Sequence, residues 1–221
     1  MGSRTFVVIS KYIQTEGRPF VLEMIMELTC MDWLGEQEYA LDEIRRLQEE
    51  NSRLMLDPLT GCYNRHYMDT LFQHYLLEAQ NNGLDLCMAL VDMDNFKAIN
   101  DNYGHTIGDE VLQSCGHFWM KYFDVRHRSF ITRYGGDEFV ITSLAENYEE
   151  FCQHIKALDS SMRKNILLED GKTVPFSFTI GCAHMRELEE QGIRPTCETL
   201  FSLADKRMYS GKQSGDSATT A

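Results

Sequence analysis

The sequence predicts an α/β fold of the α+β kind, in which helices pack on a central sheet that includes a β-hairpin. Three observations predict it. Residues 84–94 read LDLCMALVDMD, and the continuous apolar run at their centre has the length of a strand, which is typical of a strand buried on both faces. Two β-prone runs, residues 130–132 and 140–142, lie on either side of a glycine pair, which is the pattern of a hairpin. Amphipathic helical patterns lie between these strands and after them.

Composition narrows the class of protein. The 221 residues fit one domain with an extra element, or two small domains. A formal net charge of −13 argues against a nucleic acid polymer or an anionic membrane surface as a partner. The seven cysteines lie singly without a C-x-x-C pair, which is typical of reduced thiols. No apolar run approaches the roughly 18 residues of a spanning helix. We therefore expect a soluble, cytoplasmic protein.

The first 31 residues contain two β-prone runs, residues 5–10 and 19–28, separated by a turn-like stretch at 16–19. Two strands do not make a stable domain by themselves. We therefore expect either a fragment of an upstream sensory module, of which a PAS-like domain is one possibility, or a hairpin packed on the main domain. The sequence leaves both alternatives open.

Residues 32–55 predict a helical linker. Apolar residues recur there at three-, four- and seven-residue steps, with Glu and Arg between them. A narrow apolar stripe on a charged helix is typical of a two-stranded coiled coil, so we expect a homodimer through this N-terminal helix. The alternative is a helix packed on its own domain. The polar residues Gln37, Gln48 and Asn51 near the stripe would make a coiled coil only modestly stable.

The main domain, residues 56–217, opens with a turn at 57–61, punctuated by Pro and Gly. An amphipathic helix follows over 64–80, with Tyr67, Leu71, Tyr75 and Leu76 on one side, and Asn82-Gly83 ends it. After the apolar strand we expect a short helix over 95–100 and a loop over 101–105. Further elements are expected as a helix over 108–122, the hairpin, a helix over 146–165, a strand over 173–183 and a helix over 196–212. Residues 218–221 are a tail.

This order of elements predicts a ferredoxin-like or polymerase-palm-like central sheet. Asp92 and Asp94 emerge at the carboxyl end of the buried strand, the edge where ligands of α/β sheets gather. If that end lies beside the hairpin tip as an adjacent central strand, both aspartates face Asp137 and Glu138. Carboxylates in one small volume repel each other and persist where they share divalent cations. Two Mg²⁺ ions held this way would serve phosphoryl or nucleotidyl transfer. A charged hairpin tip without a ligand is the alternative.

Three further polar residues lie close to the apolar strand in sequence. Lys97 could offset the charge of a phosphate group. Asn100 and Asp109 could together meet a guanine edge, because a carboxylate accepts from the ring N–H and the exocyclic amine, two donors that adenine lacks at that edge. Taken singly, Asn100 could instead be a helix C-cap and Asp109 a first-turn residue that complements the helix dipole.

Four sequence blocks stand out along the main domain: DPLTGCYNR (57–65), DMDNFKAINDNYGHTIGDEVL (92–112), GGDEF (135–139) and ADKRMYSGK (204–212). In their order and spacing, over about residues 55–217, they resemble the GGDEF family of diguanylate cyclases. The resemblance implies the condensation of two GTP into cyclic di-GMP with release of pyrophosphate. Because each protomer would bring one GTP, catalysis would need an antiparallel encounter of two domains.

The resemblance also implies roles for individual residues. Asp92 and Asp137 would bind metal with help from the Met93 carbonyl, and Glu138 would lie beside them at the metal and the 3′-hydroxyl. Each half-site would hold two Mg²⁺, with Mn²⁺ as a substitute. Asp137, Glu138 and Lys97 would be catalytic, with Lys97 stabilising the transition state. The implied substrate-binding residues are Phe96, Asn100, His105, Asp109, Gly135, Gly136 and Lys212.

Two departures from the family pattern bear on nucleotide binding. Asp216 stands where Arg is frequent, which leaves one phosphate contact in doubt. The product-inhibition motif, RxxD in the family, is reduced to Arg126 and Ser129, so we expect weak or absent feedback inhibition at this allosteric position. These departures favour, as an alternative, a catalytically inactive GTP-binding module that acts as a sensor or interaction domain. A cyclase for another nucleotide is disfavoured by Asp109.

Overall fold

The computed structural model describes two compact units, one within Met1–Leu54 and one within Met55–Ala221. Among the described residues no helix is long and apolar enough to cross a bilayer. The residues it describes are 5–15, 18–28, 46, 54–123, 128–145, 147–162, 165–167, 171, 173–214 and 218–219.

In the first unit, strand β1 (Thr5–Thr15) pairs antiparallel with strand β2 (Arg18–Leu28). The two predicted strands are confirmed. β1 continues to Thr15, and β2 already begins at Arg18, inside the stretch predicted to turn. The predicted helical linker lies outside the described residues apart from Arg46, Leu54 and Met55, which are helical. The coiled coil and the sensory module therefore stay predictions.

The second unit is built on a mixed sheet, as predicted. Its described strands are β3 (Tyr63–Asn64), β4 (Asp85–Met93), β5 (Ser129–Gly135), β6 (Glu138–Ala145), β7 (Asn165–Leu167), β8 (Thr173–Pro175), β9 (Phe178–His184) and β10 (Ala218–Thr219). Among the described residues, six strands form the sheet in the order β10-β9-β4-β6-β5-β3, and β7 pairs separately with β8. The central strand β4 runs antiparallel to both of its neighbours, β6 and β9.

Helices cover both faces of this sheet. Alternate residues of β4 enter two separate cores: Val91 lies in one with Trp119, and Leu90 lies in the other with Phe72 and Leu200. This explains the uninterrupted apolar run, because a strand covered on both faces has no solvent side. The helices are α1 (Arg65–Asn82), α2 (Phe96–Tyr103), α3 (His105–Tyr122), α4 (Tyr148–Met162), α5 (Met185–Glu190) and α6 (Cys197–Ser214).

Helix α1 begins and ends where the sequence predicts. The side chain of Asn64 caps its N-terminus by accepting from the Tyr67 N–H at 2.9 Å. Gly83 ends it with a left-handed backbone (φ 67°), a conformation that glycine adopts without a Cβ penalty. The buried face differs from the predicted one, since Met68, Phe72 and Ala79 are buried and the residues predicted to face inward are half-buried beside them.

Three expectations from the sequence are wrong. Residues 218–221 are expected as a tail, whereas Ala218–Thr219 form β10, which pairs parallel with β9. The expected loop over 101–105 is absent in this described region, because α2 runs to Tyr103 and α3 starts at His105, with only Gly104 (φ 88°) between them. The expected strand over 173–183 is split into β8 and β9. Pro175 ends β8, and a proline has no N–H with which to continue a ladder.

Replacement of Phe72 by Ala should lower the free energy of unfolding by about 3–5 kcal/mol, because Phe72 is fully buried in the core under α1. Leu77→Ala on the same helix is the matched control. Leu77 is 60% exposed, so its loss should change the free energy by less than about 0.5 kcal/mol. Urea denaturation followed by circular dichroism measures both, and equal losses would contradict the packing described for α1.

Candidate functional site

The hairpin of β5 and β6 places its glycines and acidic residues at one end of the sheet. Gly135 pairs with Glu138, so Gly136 and Asp137 form the turn itself rather than the glycine pair predicted to do so. Gly136 has φ 53°, which favours glycine. A Cβ built on Gly135 or Gly136 meets no heavy atom within 4 Å. The backbone at the tip is therefore open to the close approach of a ligand.

The central strands bring the predicted carboxylates together. β4 pairs with β6 so that Asp92 lies opposite Glu138, and the Met93 N–H donates to the Asp137 carbonyl at 3.3 Å. The predicted juxtaposition of the strand end and the hairpin tip is confirmed. Asp92, Asp137 and Glu138 are each half-buried.

Asp94 is oriented differently from the prediction. Its carboxylate accepts hydrogen bonds from Ser177 Oγ and Thr179 Oγ1, both at 2.7 Å. Its backbone N–H donates to the Ser177 carbonyl at 2.9 Å. Asp94 therefore joins the end of β4 to β9 and the segment before it, on the side away from β6. Sequence reasoning could not separate Asp94 from Asp92, because both follow the same apolar strand.

The carboxylates of Asp92, Asp137 and Glu138, called the acidic cluster below, repel one another. Burial raises the pKa of Asp92, and the neighbouring charges of Asp137 and Asp94 raise it further, whereas Lys212 opposes the shift. Burial likewise raises the pKa of Glu138, with added repulsion from Asp92, Asp137 and Asp205. Holding these side chains ionised together is costly unless a cation lies among them.

Lys212 supplies one positive charge to this cluster. Its Nζ lies 2.5 Å from Asp92 Oδ1. The ammonium reaches the site because α6 lies directly on β9: a Cβ added to Gly181 would overlap the Ala204 carbonyl and the Met208 backbone nitrogen. The structure thus places the Lys212 ammonium at the acidic cluster, in contact with Asp92.

The donor set suits a hard divalent cation. Carboxylates of Asp92, Asp137 and Glu138 and the carbonyl of Met93 are oxygen ligands, which Mg²⁺ and Mn²⁺ prefer. In the part of the chain that the structure describes, no three His, Cys, Asp or Glu side chains already converge as a metal-binding group. The residues fit the ion by chemistry and by strand register, and their side chains would have to turn toward it.

A second group of predicted residues lies on α2 and α3. The amide of Asn100 and the ring of Phe96 both lie against Gly108, the residue before Asp109. Asp109 is exposed, whereas Asn100 is half-buried. Lys97 in the first turn of α2 and His105 at the start of α3 are also exposed.

Arg133 is a site residue that the sequence reasoning missed. Its Nε and Nη2 donate to the Gly136 carbonyl at 3.0 and 2.9 Å, and its Nη1 contacts both carboxylate oxygens of Asp57 at 3.1 and 3.2 Å. Asp57 also accepts from the Thr60 N–H and hydroxyl at 2.9 and 2.8 Å. The hairpin tip is thereby tied to the turn before α1. Both partners lie in motifs visible in the sequence, but no local pattern joins residues so far apart.

The product-inhibition position is only partly described. Arg126 lies outside the described residues. Ser129 is the first residue of β5, and its Oγ donates to Ser143 Oγ at 2.8 Å. Ser129, which lacks the carboxylate of the family's product-inhibition motif, is therefore hydrogen-bonded to the neighbouring strand β6.

An α+β domain whose central strands end in an acidic, glycine-containing hairpin is the class that this fold and site define. Residues 54–218 match the family described as "Diguanylate cyclase, GGDEF domain". The chain belongs to this family, and the resemblance seen in its motifs is confirmed.

Named relatives agree with this assignment. The diguanylate cyclase DosC of Escherichia coli K12 is 33% identical over 175 residues, which are 78% of this chain and 36% of DosC. The chain thus spans about a third of the length of this relative. The solved GGDEF domain of YfiN (TpbB) from Pseudomonas aeruginosa is 29% identical, with a TM-score of 0.63 over 70% of this chain and 92% of that one.

A second solved structure supports the fold alone. The coiled coil and GGDEF domain of DgcB from Caulobacter crescentus, solved in complex with c-di-GMP, is 21% identical to this chain with a TM-score of 0.71. The match covers 84% of this chain and 96% of the DgcB chain.

Asp57→Asn should lower stability at neutral pH by about 1–2 kcal/mol, because the amide loses the charged contact with Arg133. Burial opposes ionisation of Asp57, but hydrogen bonds from Thr60 and Arg133 outweigh it and lower the pKa of this carboxyl. A lowered folded-state pKa gives stability above the unfolded pKa, and that stability is lost as pH falls through the folded value. The difference between wild type and variant should therefore narrow below about pH 4.

Urea denaturation at pH 7 and at about pH 3.5 measures this difference. Asp101→Asn, at an exposed position of α2, is the control and should leave stability unchanged at both pH values. A pH-independent difference between wild type and Asp57→Asn would show that the ionised contact does not stabilise the hairpin.

Proposed function

We propose that this chain is a diguanylate cyclase, a nucleotidyltransferase that condenses two GTP into cyclic di-GMP with release of pyrophosphate. The observation that carries the proposal is the register of β4 and β6, which sets Asp92 opposite Glu138 and beside Asp137 at an open glycine turn. Membership of the GGDEF family supports the same reaction. The cytoplasm, where GTP is available, is the expected compartment.

Asp92, Asp137 and Glu138, with the Met93 carbonyl, would hold two Mg²⁺ ions in each half-site, and Mn²⁺ could replace them. Bound in this way, the ions would activate the attacking 3′-hydroxyl and neutralise charge on the leaving phosphates. Asp137 is the residue we assign most directly to catalysis, because it lies in the turn, half-buried and next to the open backbone of Gly136. Glu138 would stand at the metal and the 3′-hydroxyl.

The remaining site residues would bind the nucleotide. Asn100 and Asp109 would meet the guanine edge, with the Phe96 ring and His105 in the same pocket. Gly135 and Gly136 would let the substrate lie against the backbone. Lys212, already beside Asp92, would contact the terminal phosphates, and Lys97 would stabilise charge that develops in the transition state.

One domain would provide only half of the reaction centre. A cyclic dinucleotide needs two GTP molecules that attack each other, and each chain offers one acidic hairpin and one candidate guanine pocket. We propose that a homodimer, formed through the helical linker over 32–55, brings two such domains face to face. The charged, narrow apolar stripe of that linker supports this role.

A catalytically inactive GTP-binding module is the second candidate. Asp216, where the family frequently has Arg, and Ser129 favour it, because both remove a contact to a nucleotide. The intact acidic hairpin favours the enzyme. Retention of these carboxylates at an energetic cost is expected for a catalytic site rather than for a passive binding surface.

Incubation of the protein with GTP and Mg²⁺, with and without ATP, should produce cyclic di-GMP, identified by mass spectrometry. Asp137→Ala should lower the rate by about a thousandfold or more, since it removes a metal ligand worth several kcal/mol to the transition state. Its melting temperature should stay close to the wild-type value because a turn side chain contributes little to the core. Glu149→Ala, at an exposed carboxylate of α4, is the control and should retain activity. GTP binding without turnover in the wild type would contradict the assignment as an enzyme.

Product inhibition should be weak in the wild type and stronger in Ser129→Asp. The substitution adds a carboxylate that can accept from a guanine edge of cyclic di-GMP at the allosteric position shared with Arg126. Initial rates at rising product concentration measure the inhibition constant, which we expect to fall by about tenfold or more if two such contacts form. Ser129→Asn, similar in size but uncharged, is the control. An unchanged inhibition constant in Ser129→Asp would contradict an inhibitory role for this position.

A further inference from the structure

Helices α2 and α3 meet at Gly108, the fourth residue of α3, which is buried. A Cβ added there would overlap Asn100 Oδ1 and lie 3.0 Å from Asn100 Cγ and 3.3 Å from Phe96 Cζ. The volume that any other residue would fill with its side chain is therefore occupied by the amide of Asn100 and the edge of a phenyl ring.

Backbone conformation does not require glycine at this position. Gly108 lies inside a regular helix and is absent from the described glycines with positive φ. Glycine in a helix interior is less favourable than alanine, so conformational freedom costs stability here. Glycine therefore contributes free space at position 108, which a larger residue would fill with its side chain.

The backbone also keeps Asn100 and Gly108 close together. Gly104 joins α2 to α3, donates its N–H to the Asn100 carbonyl at 2.9 Å and accepts from the Gly108 N–H at 3.1 Å. Both residues are hydrogen-bonded to the same single-residue junction. A side chain added at Gly108 would consequently displace the Asn100 amide, which can rotate, before it separated the two helices.

We propose that Gly108 is a specificity-determining residue of the nucleotide site. Because Gly108 has no side chain, the Asn100 amide can occupy the space beside Asp109, the next residue of α3. One guanine edge can then meet both groups. This inference rests on the proposed function, in which Asn100 and Asp109 bind guanine. Gly108 acts through Asn100 and is a positioning residue. A displaced amide leaves guanine with an unpaired polar group, which costs affinity for guanine and not for adenine.

Binding of the α,β-methylene analogues of GTP and ATP, which cannot release pyrophosphate, tests the proposal by titration calorimetry with Mg²⁺. Gly108→Ala should lower the preference for the guanine analogue by about tenfold, while affinity for the adenine analogue changes by less than about twofold. Asn100→Ala should lower the preference similarly. The double variant should match Asn100→Ala, because two residues that act through one contact are not additive.

Gly116→Ala is the matched control on the same helix. Its Cβ would lie 3.0 Å from Thr60 Cβ and 3.1 Å from Cys62 Sγ, away from Asn100, so it should lower the melting temperature and leave the guanine preference unchanged. The proposal is overturned if Gly108→Ala keeps the preference, weakens both analogues equally, or still lowers the preference in the Asn100→Ala background.

The outcomes separate this inference from the proposed function. A wild-type protein without guanine preference would overturn both. A wild-type preference that Asn100→Ala lowers and Gly108→Ala does not would overturn the role of Gly108 alone. If Asn100→Ala keeps the wild-type preference for the guanine analogue, Asn100 does not select the base and the proposed role of Gly108 is overturned. The chemistry proposed for the acidic cluster is tested separately, by the turnover assay.

Discussion

The antiparallel register of β4 and β6 is the constraint on which the rest of the structure depends. A slip of one residue would turn every side chain of β4 to the opposite face. The core prevents it, because Phe139 lies opposite Val91 and packs edge-to-face on Trp119 with ring centroids 4.6 Å apart. Asp92 follows Val91 and Glu138 precedes Phe139, so these two carboxylates are opposed as a consequence. Apolar packing in the sheet thus determines which carboxylates meet at its edge.

Opposing carboxylates in this way costs stability, and one cation, Lys212, offsets part of that cost. A second cation, Arg133, fixes the hairpin turn. Lys212 comes from α6, which the absence of a side chain at Gly181 allows to lie directly on β9. Arg133 comes from β5 and holds the turn carbonyl of Gly136 while it pairs with Asp57. One cation therefore lowers the repulsion and the other fixes the backbone that carries Asp137. Residual repulsion of this kind is typical of functional sites, where stability is exchanged for a charge arrangement that the ligand completes.

Prediction from the sequence succeeded where the determining interactions are local or periodic. The apolar run of β4, the hairpin and the start of α1 at Asn64 each follow from side-chain patterns within a few residues. It failed at α2 and α3, where exposed polar residues suggested a loop and one glycine makes the whole reversal. It also could not assign Asp94, whose partners Ser177 and Thr179 are distant in sequence, or join Asp57 to Arg133. Such pairings depend on the tertiary fold, and single-sequence patterns carry no information about them.

Strand β4 and helix α2 carry different groups of the candidate site residues. β4 ends at Met93, and α2 begins at Phe96, so the acidic cluster and Asn100 lie on consecutive rigid elements. Asp94 anchors the joint between them through its hydrogen bonds to Ser177 and Thr179. Charge would be handled at the strand end and base identity on the helices. In the proposed function, a change that moves only the Asn100 amide should therefore alter which base is accepted and leave the chemistry at the strand end intact.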